Sequence, residues 1–221
     1  LAIALTLATA CSAHDARPRA TGELPMPASP TPGEEPPAWW FRSGAVAAHN
    51  RDAGQRPARN VILFVGDGMG PTTVAAARIL AGQLAGGTGE EHSLAFERFP
   101  HLAMVKTYNT DLQTPDSAGT MTAMGTGVKT RGGIIGLDGD QPRGVCPGTD
   151  ATAIPSFLEL AAEAGLGTGI VTTTRITHAT PAALYAKSAD RDWESDARMP
   201  HAARAAGCVD IARQLVEFDG G

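Results

Sequence analysis

Four short clusters of residues have the types and spacing for chemistry. The first is Gly66-Asp67-Gly68-Met69-Gly70, an acid between glycines at the end of an apolar run. A carboxylate there can hold a metal ion, because glycines let the backbone approach an ion closely. It can equally cap the helix that follows. No Gly-Lys-Ser/Thr follows and the spacing is not GxGxxG, so neither nucleotide-binding loop fits. The second cluster is Thr114-Pro115-Asp116-Ser117-Ala118-Gly119-Thr120. A serine at a helix start has its hydroxyl among free N–H groups, which suits a nucleophile whose substrate carries phosphate. That hydroxyl is a weak nucleophile at neutral pH and needs a base or a metal. The same serine can be an ordinary N-cap, and no GxSxG elbow is present. The third cluster runs from Thr173 to Pro181 and places His178 and Thr180 two residues apart. Both can approach one site, or the histidine can be structural. The fourth is Asp190-Arg191-Asp192-Trp193. An arginine between acids is either a surface ion pair or a two-pronged clamp for phosphate.

These clusters need a scaffold. Arg59 to Gly66 is a run of Val, Ile, Leu and Phe closed by glycine, which predicts a buried strand. His101 to Tyr108 and Leu166 to Thr174 predict two more. Helices are expected over Ser43–Arg51, Pro71–Leu84 with proline at a tolerated early position, Ser117–Gly127, Ser156–Gly165 and Ala202–Phe218. Alternation of strands and helices predicts an α/β fold with a mainly parallel sheet. In such sheets ligands bind beyond the carboxyl ends of the strands, where Asp67 and the third cluster fall.

The chain has 221 residues, 43% of them hydrophobic and 19% charged, enough for a sizeable core. Eighteen Lys and Arg against 23 Asp and Glu make a net charge of −5. That excludes a general basic footprint for nucleic acid but not one basic pocket. Seven of the 16 prolines lie between Pro18 and Pro37. Residues 1–13 are expected to be an export signal. Leu1–Ala10 is apolar and uncharged, too short for a membrane-spanning helix. Cys11 stands where a bacterial lipobox places its lipidated cysteine, and ordinary cleavage after a small residue is the alternative. Export, to the periplasm or as a membrane-anchored lipoprotein, permits disulfides. Residues 14–37 are expected to form a proline-rich linker, extended and without a core. The folded body is expected over residues 38–221.

Taken in order, the clusters resemble the alkaline phosphatase family. NVILFVGDGMG is similar to the family's first metal-binding strand, TYNTDLQTPDSAGTMTAMGTGVKT to its nucleophile region, and GIVTTTRITHATPAALYAKSADRDW to its magnesium and phosphate region. The resemblance implies a three-layer sandwich around a mainly parallel sheet, incomplete here. It implies hydrolysis of phosphate monoesters with two zinc ions and one magnesium. Ser117 would be the nucleophile, a zinc ligand, and the carrier of a phosphoserine. Asp116 would orient Arg191, which would grip two phosphate oxygens. Asp67 would bridge a zinc and the magnesium, Thr180 would bind the magnesium, and His178 would stand near it. Cys146 and Cys208 would pair as a disulfide, and a full-length chain would form a homodimer. Two-metal displacement is coherent with these roles, with ions on the attacking and leaving oxygens and Arg191 on the equatorial ones.

The chain departs from the family in one respect. The family's further zinc ligands lie downstream of the arginine, and here the residues after Arg191 contain one histidine, His201. The expectation is an N-terminal portion of a longer protein that cannot build the dizinc site or turn over substrate alone. Phosphodiesterase and sulfatase chemistry are alternatives within the superfamily. Sulfatases use a Cys or Ser in a CxPxR-type context, which Ser117 lacks, and phosphodiesterases commonly use Thr as nucleophile. A non-catalytic phosphate-binding role is the alternative outside it.

Overall fold

The computed structural model of the chain describes residues 22–31, 35–50, 58–147 and 153–219. The expected signal and Cys11 lie outside these residues. Seven α-helices occur among them: α1 (Pro37–Asn50), α2 (Pro71–Leu84), α3 (Ser117–Thr126), α4 (Phe157–Glu163), α5 (Ala179–Ala182), α6 (His201–Ala205) and α7 (Ile211–Val216).

Local sequence accounts for most of these boundaries. Proline opens α2 at a position where its missing N–H costs nothing. Asp116 caps α3 by accepting from the Gly119 N–H. Ser156 caps α4 in a reciprocal box with Glu159. The helix expected over Ala202–Phe218 is instead two. Gly207, at φ +86°, turns the chain after α6, and the Asp210 side chain caps α7 by accepting from the Arg213 N–H. Only glycine adopts that backbone angle without strain. The short α5 was not among the expected helices.

The three expected strands form neither helix nor ladder. Among the described residues the only β-pairings are isolated antiparallel bridges: Asn109 with Leu112, Ile135 with Ser188, and Leu137 with Ala153. Val61, Ile62 and Phe64 are exposed, as are Leu102, Met104 and Val171. A strand is a pairing rather than a local conformation, since its N–H and C=O groups need a ladder partner. The parallel sheet of the sequence expectation is therefore not seen among these residues.

Two apolar cores hold the molecule together. The larger gathers Ala118 and Met121 of α3, Leu158 of α4, Ala179 and Ala182 of α5, the following Ala183–Ala186, and Ile211. Helix α3 is built of Ser, Ala, Gly, Thr and Met and packs against both α4 and α5. Small residues permit that close burial. The second core gathers Ile134, Leu137, Ala189, Trp193, Met199 and Ala203, with Cys208 packed against it. The implied disulfide is present: Cys146 bonds Cys208, with Cα atoms 5.7 Å apart across a separation of 62 residues. Closing that loop is worth about 4 kcal/mol in the chain-entropy account. Replacing both cysteines by serine should lower the free energy of unfolding in urea by about that amount, and a loss below about 1 kcal/mol would refute this contribution.

Part of the expected linker is not free. The Leu24 N–H donates to Asn50 Oδ1 at 2.8 Å, Asn50 Nδ2 returns a bond to the Leu24 carbonyl, and Trp39 Nε1 donates to the Ala28 carbonyl at 2.7 Å. Residues 22–31 thus lie along α1. No helix among the described residues is long and apolar enough to cross a membrane.

Candidate active site

The four clusters, far apart in sequence, converge around the start of α3. Asp116 rather than Ser117 is the N-cap of this helix. Ser117 is therefore the first helical residue, and its hydroxyl is not engaged in capping. The Arg191 guanidinium donates to Ser117 Oγ at 2.9 Å and to Asp116 Oδ2 at 3.1 Å through the same nitrogen. Its other terminal nitrogen stands 3.1 Å from His178 Nε2. The Ser117 and Ala118 N–H groups have no protein acceptor among the described residues. They are the open donors that every helix start leaves.

Asp116 is held at four points. Oδ1 accepts from Asn109 Nδ2 at 3.0 Å and from the Gly119 N–H at 3.1 Å; Oδ2 accepts from the Gly133 N–H at 2.9 Å and from Arg191. Burial pushes its carboxyl up. The Gly119 N–H, Arg191, Asn109 and the Gly133 N–H outweigh that and leave it below the usual aspartate range. Asp116 therefore stays an anion and fixes the plane of Arg191. Asn109 and Gly133 were not singled out in the sequence. Asn109 lies in the polar segment before α3 and Gly133 in the glycine-rich turn after it.

Asp67 is not a cap. The N-cap of α2 is Gly70, with no side-chain bond. Asp67 Oδ2 instead accepts from the Thr180 hydroxyl at 2.7 Å and lies 3.8 Å from His178 Nδ1. An imidazole can accept at only one of its nitrogens unless it has lost its proton. The 3.1 Å approach of Arg191 assigns acceptance to Nε2 and turns Nδ1–H toward Asp67. The approach of the Thr180 N–H to Nδ1, at 3.5 Å, is then the weaker contact. Asp67, Thr180 and His178 join the Arg191–Ser117 group through these contacts. The Asp67, His178 and Arg191 side chains retain 35%, 20% and 20% of their exposure, so a solute can reach them.

The carboxylate of Asp67 and the hydroxyl of Thr180 are oxygen donors that fit a hard divalent cation such as magnesium, with His178 beside them. A zinc pair needs more. Among the described residues no three His, Cys, Asp or Glu side chains gather about one point. His201 begins α6 and takes no part in this group.

A second ionic group braces the loops behind the site. Glu194, nearly buried, accepts from Arg175 Nε at 2.8 Å, Arg175 Nη2 at 2.7 Å and the Thr177 hydroxyl at 2.6 Å. It ties the segment before His178 to the segment after Arg191. The Arg175 hydrogen bonds bring its carboxyl down to about 2 against the opposing effect of burial, with help from Thr177 and Arg198. Because the folded state depresses this pKa, the stabilisation is full above the ordinary glutamate range and fades as pH falls toward about 2. Glu194→Gln should lower the melting temperature at neutral pH and flatten its decline across that acid window. An unchanged acid limb would rule the linkage out.

The alkaline phosphatase family model matches residues 58–219. The chain is 50% identical over 190 residues to the tissue-nonspecific alkaline phosphatase of Gallus gallus, covering 83% of this chain and 36% of that protein. It is 54% identical over 159 residues to the Homo sapiens counterpart, covering 72% and 30%. A cold-active alkaline phosphatase from a psychrophilic Shewanella sp. superposes with a TM-score of 0.54 at 27% identity, covering 71% of this chain and 33% of that one. The chain thus spans about a third of the length of the curated relatives it matches. With all four clusters inside one matched span and joined around Ser117, the chain belongs to the alkaline phosphatase family.

Proposed function

We propose that this chain carries the nucleophile and the phosphate clamp of an enzyme that hydrolyses phosphate monoesters through a phosphoserine on Ser117. One observation carries the reading: Arg191 bridges Asp116 and Ser117 at the mouth of a helix whose capping is done by Asp116. The nucleophile position and the phosphate-gripping position are thereby adjacent.

The chain's own residues divide the work. Ser117 Oγ forms the bond to phosphorus, in line with the ester oxygen that leaves as the alcohol. Arg191 and the Ser117 N–H hold the other phosphoryl oxygens, where charge must be stabilised. Asp116 keeps Arg191 aimed. Water then cleaves phosphoserine, so that ester and water become alcohol and phosphate, and Ser117 is restored. Asp67 and Thr180 would hold magnesium with His178 near it, and Asp67 and Ser117 would contribute to a zinc pair. When bound, these ions supply positive charge that favours the serine alkoxide and the departing oxygen.

The remaining zinc ligands are not gathered among the described residues, so the 221-residue chain alone is proposed to bind phosphate without turnover. Export, a lipid on Cys11 and a homodimer of the whole protein belong to the same proposal. The test is hydrolysis of p-nitrophenyl phosphate by the product of the whole reading frame and by the 221 residues alone, with zinc and magnesium and after chelation. The reading expects metal-dependent turnover by the former only. Preference for a diester or a sulfate ester, or turnover indifferent to chelation, would overturn it.

A further inference from the structure

The acids on either side of Arg191 pose a problem that the structure resolves. Asp190 and Asp192 are one residue away and carry the charge most able to quench an arginine meant for phosphate. Neither pairs with it. Both engage Arg143: Nε donates to Asp190 Oδ2 at 3.1 Å, and Nη2 donates to Asp190 Oδ1 at 3.1 Å and to Asp192 Oδ2 at 3.2 Å. The turn is further closed by the Asp192 N–H on Asp190 Oδ1 at 2.9 Å and by the Ser188 hydroxyl on the Asp190 carbonyl at 2.8 Å.

The Arg143 side chain lies against Gly133, where a Cβ would collide with it. Gly133 has φ +79° and serves both halves of the clamp. Its N–H holds Asp116 Oδ2 at 2.9 Å, and its carbonyl accepts from the Arg191 N–H at 2.9 Å. Arg143 therefore touches the acids that flank Arg191 and covers the glycine that fixes Arg191 and Asp116. It also offsets charge. Asp116, Asp190 and Asp192 surround Arg191 with three carboxylates, and Arg143 is the second cation among them.

We propose that Arg143 is a positioning residue for phosphate binding: by engaging Asp190 and Asp192 it leaves the Arg191 guanidinium free to face Ser117 and the phosphate beside it. This rests on Arg191 being the phosphate clamp. A fork is required for the Asp190 grip, so lysine is an incomplete substitute. Without Arg143, two unpaired carboxylates stand beside the place where a phosphate dianion binds. They also compete for Arg191 itself.

The experiment measures the Kd of inorganic phosphate, and KM and kcat for p-nitrophenyl phosphate, in the full-length protein. The Arg143 side chain is 47% exposed and outside both cores, so its replacement leaves the fold in place. Arg143→Gln should raise the phosphate Kd and KM together by about three- to tenfold with a smaller change in kcat, the scale of a partly exposed charge network. Arg143→Lys should recover part of the loss. Asp192→Asn added to Arg143→Gln should also recover part, since it removes one of the competing charges. Wild-type Kd and KM in Arg143→Gln would overturn the proposal, as would a lowered melting temperature with unchanged phosphate affinity. A wild-type protein that neither binds phosphate nor turns over substrate would instead sink the phosphate-clamp reading beneath it.

Discussion

Ser117→Ala is expected to abolish measurable phosphomonoester turnover in the full-length protein, a loss of about a thousandfold or more, while leaving stability nearly unchanged. The two halves of this expectation have separate causes. Activity is lost because alanine has no oxygen to bond to phosphorus, and Arg191 and the helix N–H groups can bind phosphate but not displace an ester. Stability is kept because Asp116 is the cap, accepting from the Gly119 N–H at 3.1 Å. Alanine is also a good residue for the first helical turn. If Ser117 were the cap, its loss would cost about 1 kcal/mol. The measurement is turnover and melting temperature side by side, with acid quenching in labelled phosphate to look for the phosphoserine. A stable variant with no label on the chain is the expected result. Retention of label or of substantial turnover would place the nucleophile elsewhere.

Arg191→Lys should reduce kcat/KM by about a hundredfold to a thousandfold, the usual loss when a positioned donor to a developing oxyanion is removed. The guanidinium now spans three partners, with Ser117 Oγ and Asp116 Oδ2 on one nitrogen and His178 Nε2 facing the other. A lysine ammonium is one point of charge on a flexible stem and cannot hold two phosphate oxygens at fixed geometry while still facing Asp116. The fold should survive, because Asp116 keeps its bonds from Asn109, Gly119 and Gly133. KM and the inhibition constant for phosphate should rise together. A variant with normal phosphate inhibition would show that Arg191 is a structural ion pair, which was the competing interpretation of an arginine between two acids.

The chemical identities at the site were legible in the sequence; which of their alternatives applied was not. Asp67 could have been a helix cap, Ser117 a cap, His178 structural and Arg191 a surface ion pair. Each of those alternatives is a local arrangement, and local sequence cannot choose between it and a partner a hundred residues away. The Thr180 hydroxyl on Asp67 spans 113 positions, and the Arg191 bond to Ser117 spans 74. The structure decides for the distant partners at Asp67, Ser117 and Arg191. His178 also finds a distant partner, its Nε2 standing 3.1 Å from the Arg191 guanidinium.

Helices followed the opposite rule. Helices α2, α3 and α4 start and stop near where proline, a capping side chain or a glycine predicts, because those signals act within a turn or two. The expected helix over Ala202–Phe218 failed at Gly207, where a left-handed turn brings Cys208 to its disulfide partner. The apolar runs at 59–66, 101–108 and 166–174 were expected to be strands, and among the described residues they are not. A strand exists only with a neighbour to accept its hydrogen bonds. By itself the sequence determined which side chains could do phosphate chemistry and where short-range helices begin. Only the tertiary structure decided that Asp116 and Ser117 both meet Arg191, that Arg191 turns away from its flanking acids, and that Arg143 occupies them. Each of those outcomes is a contact between side chains 47 to 75 positions apart, settled by which of them folding brings together.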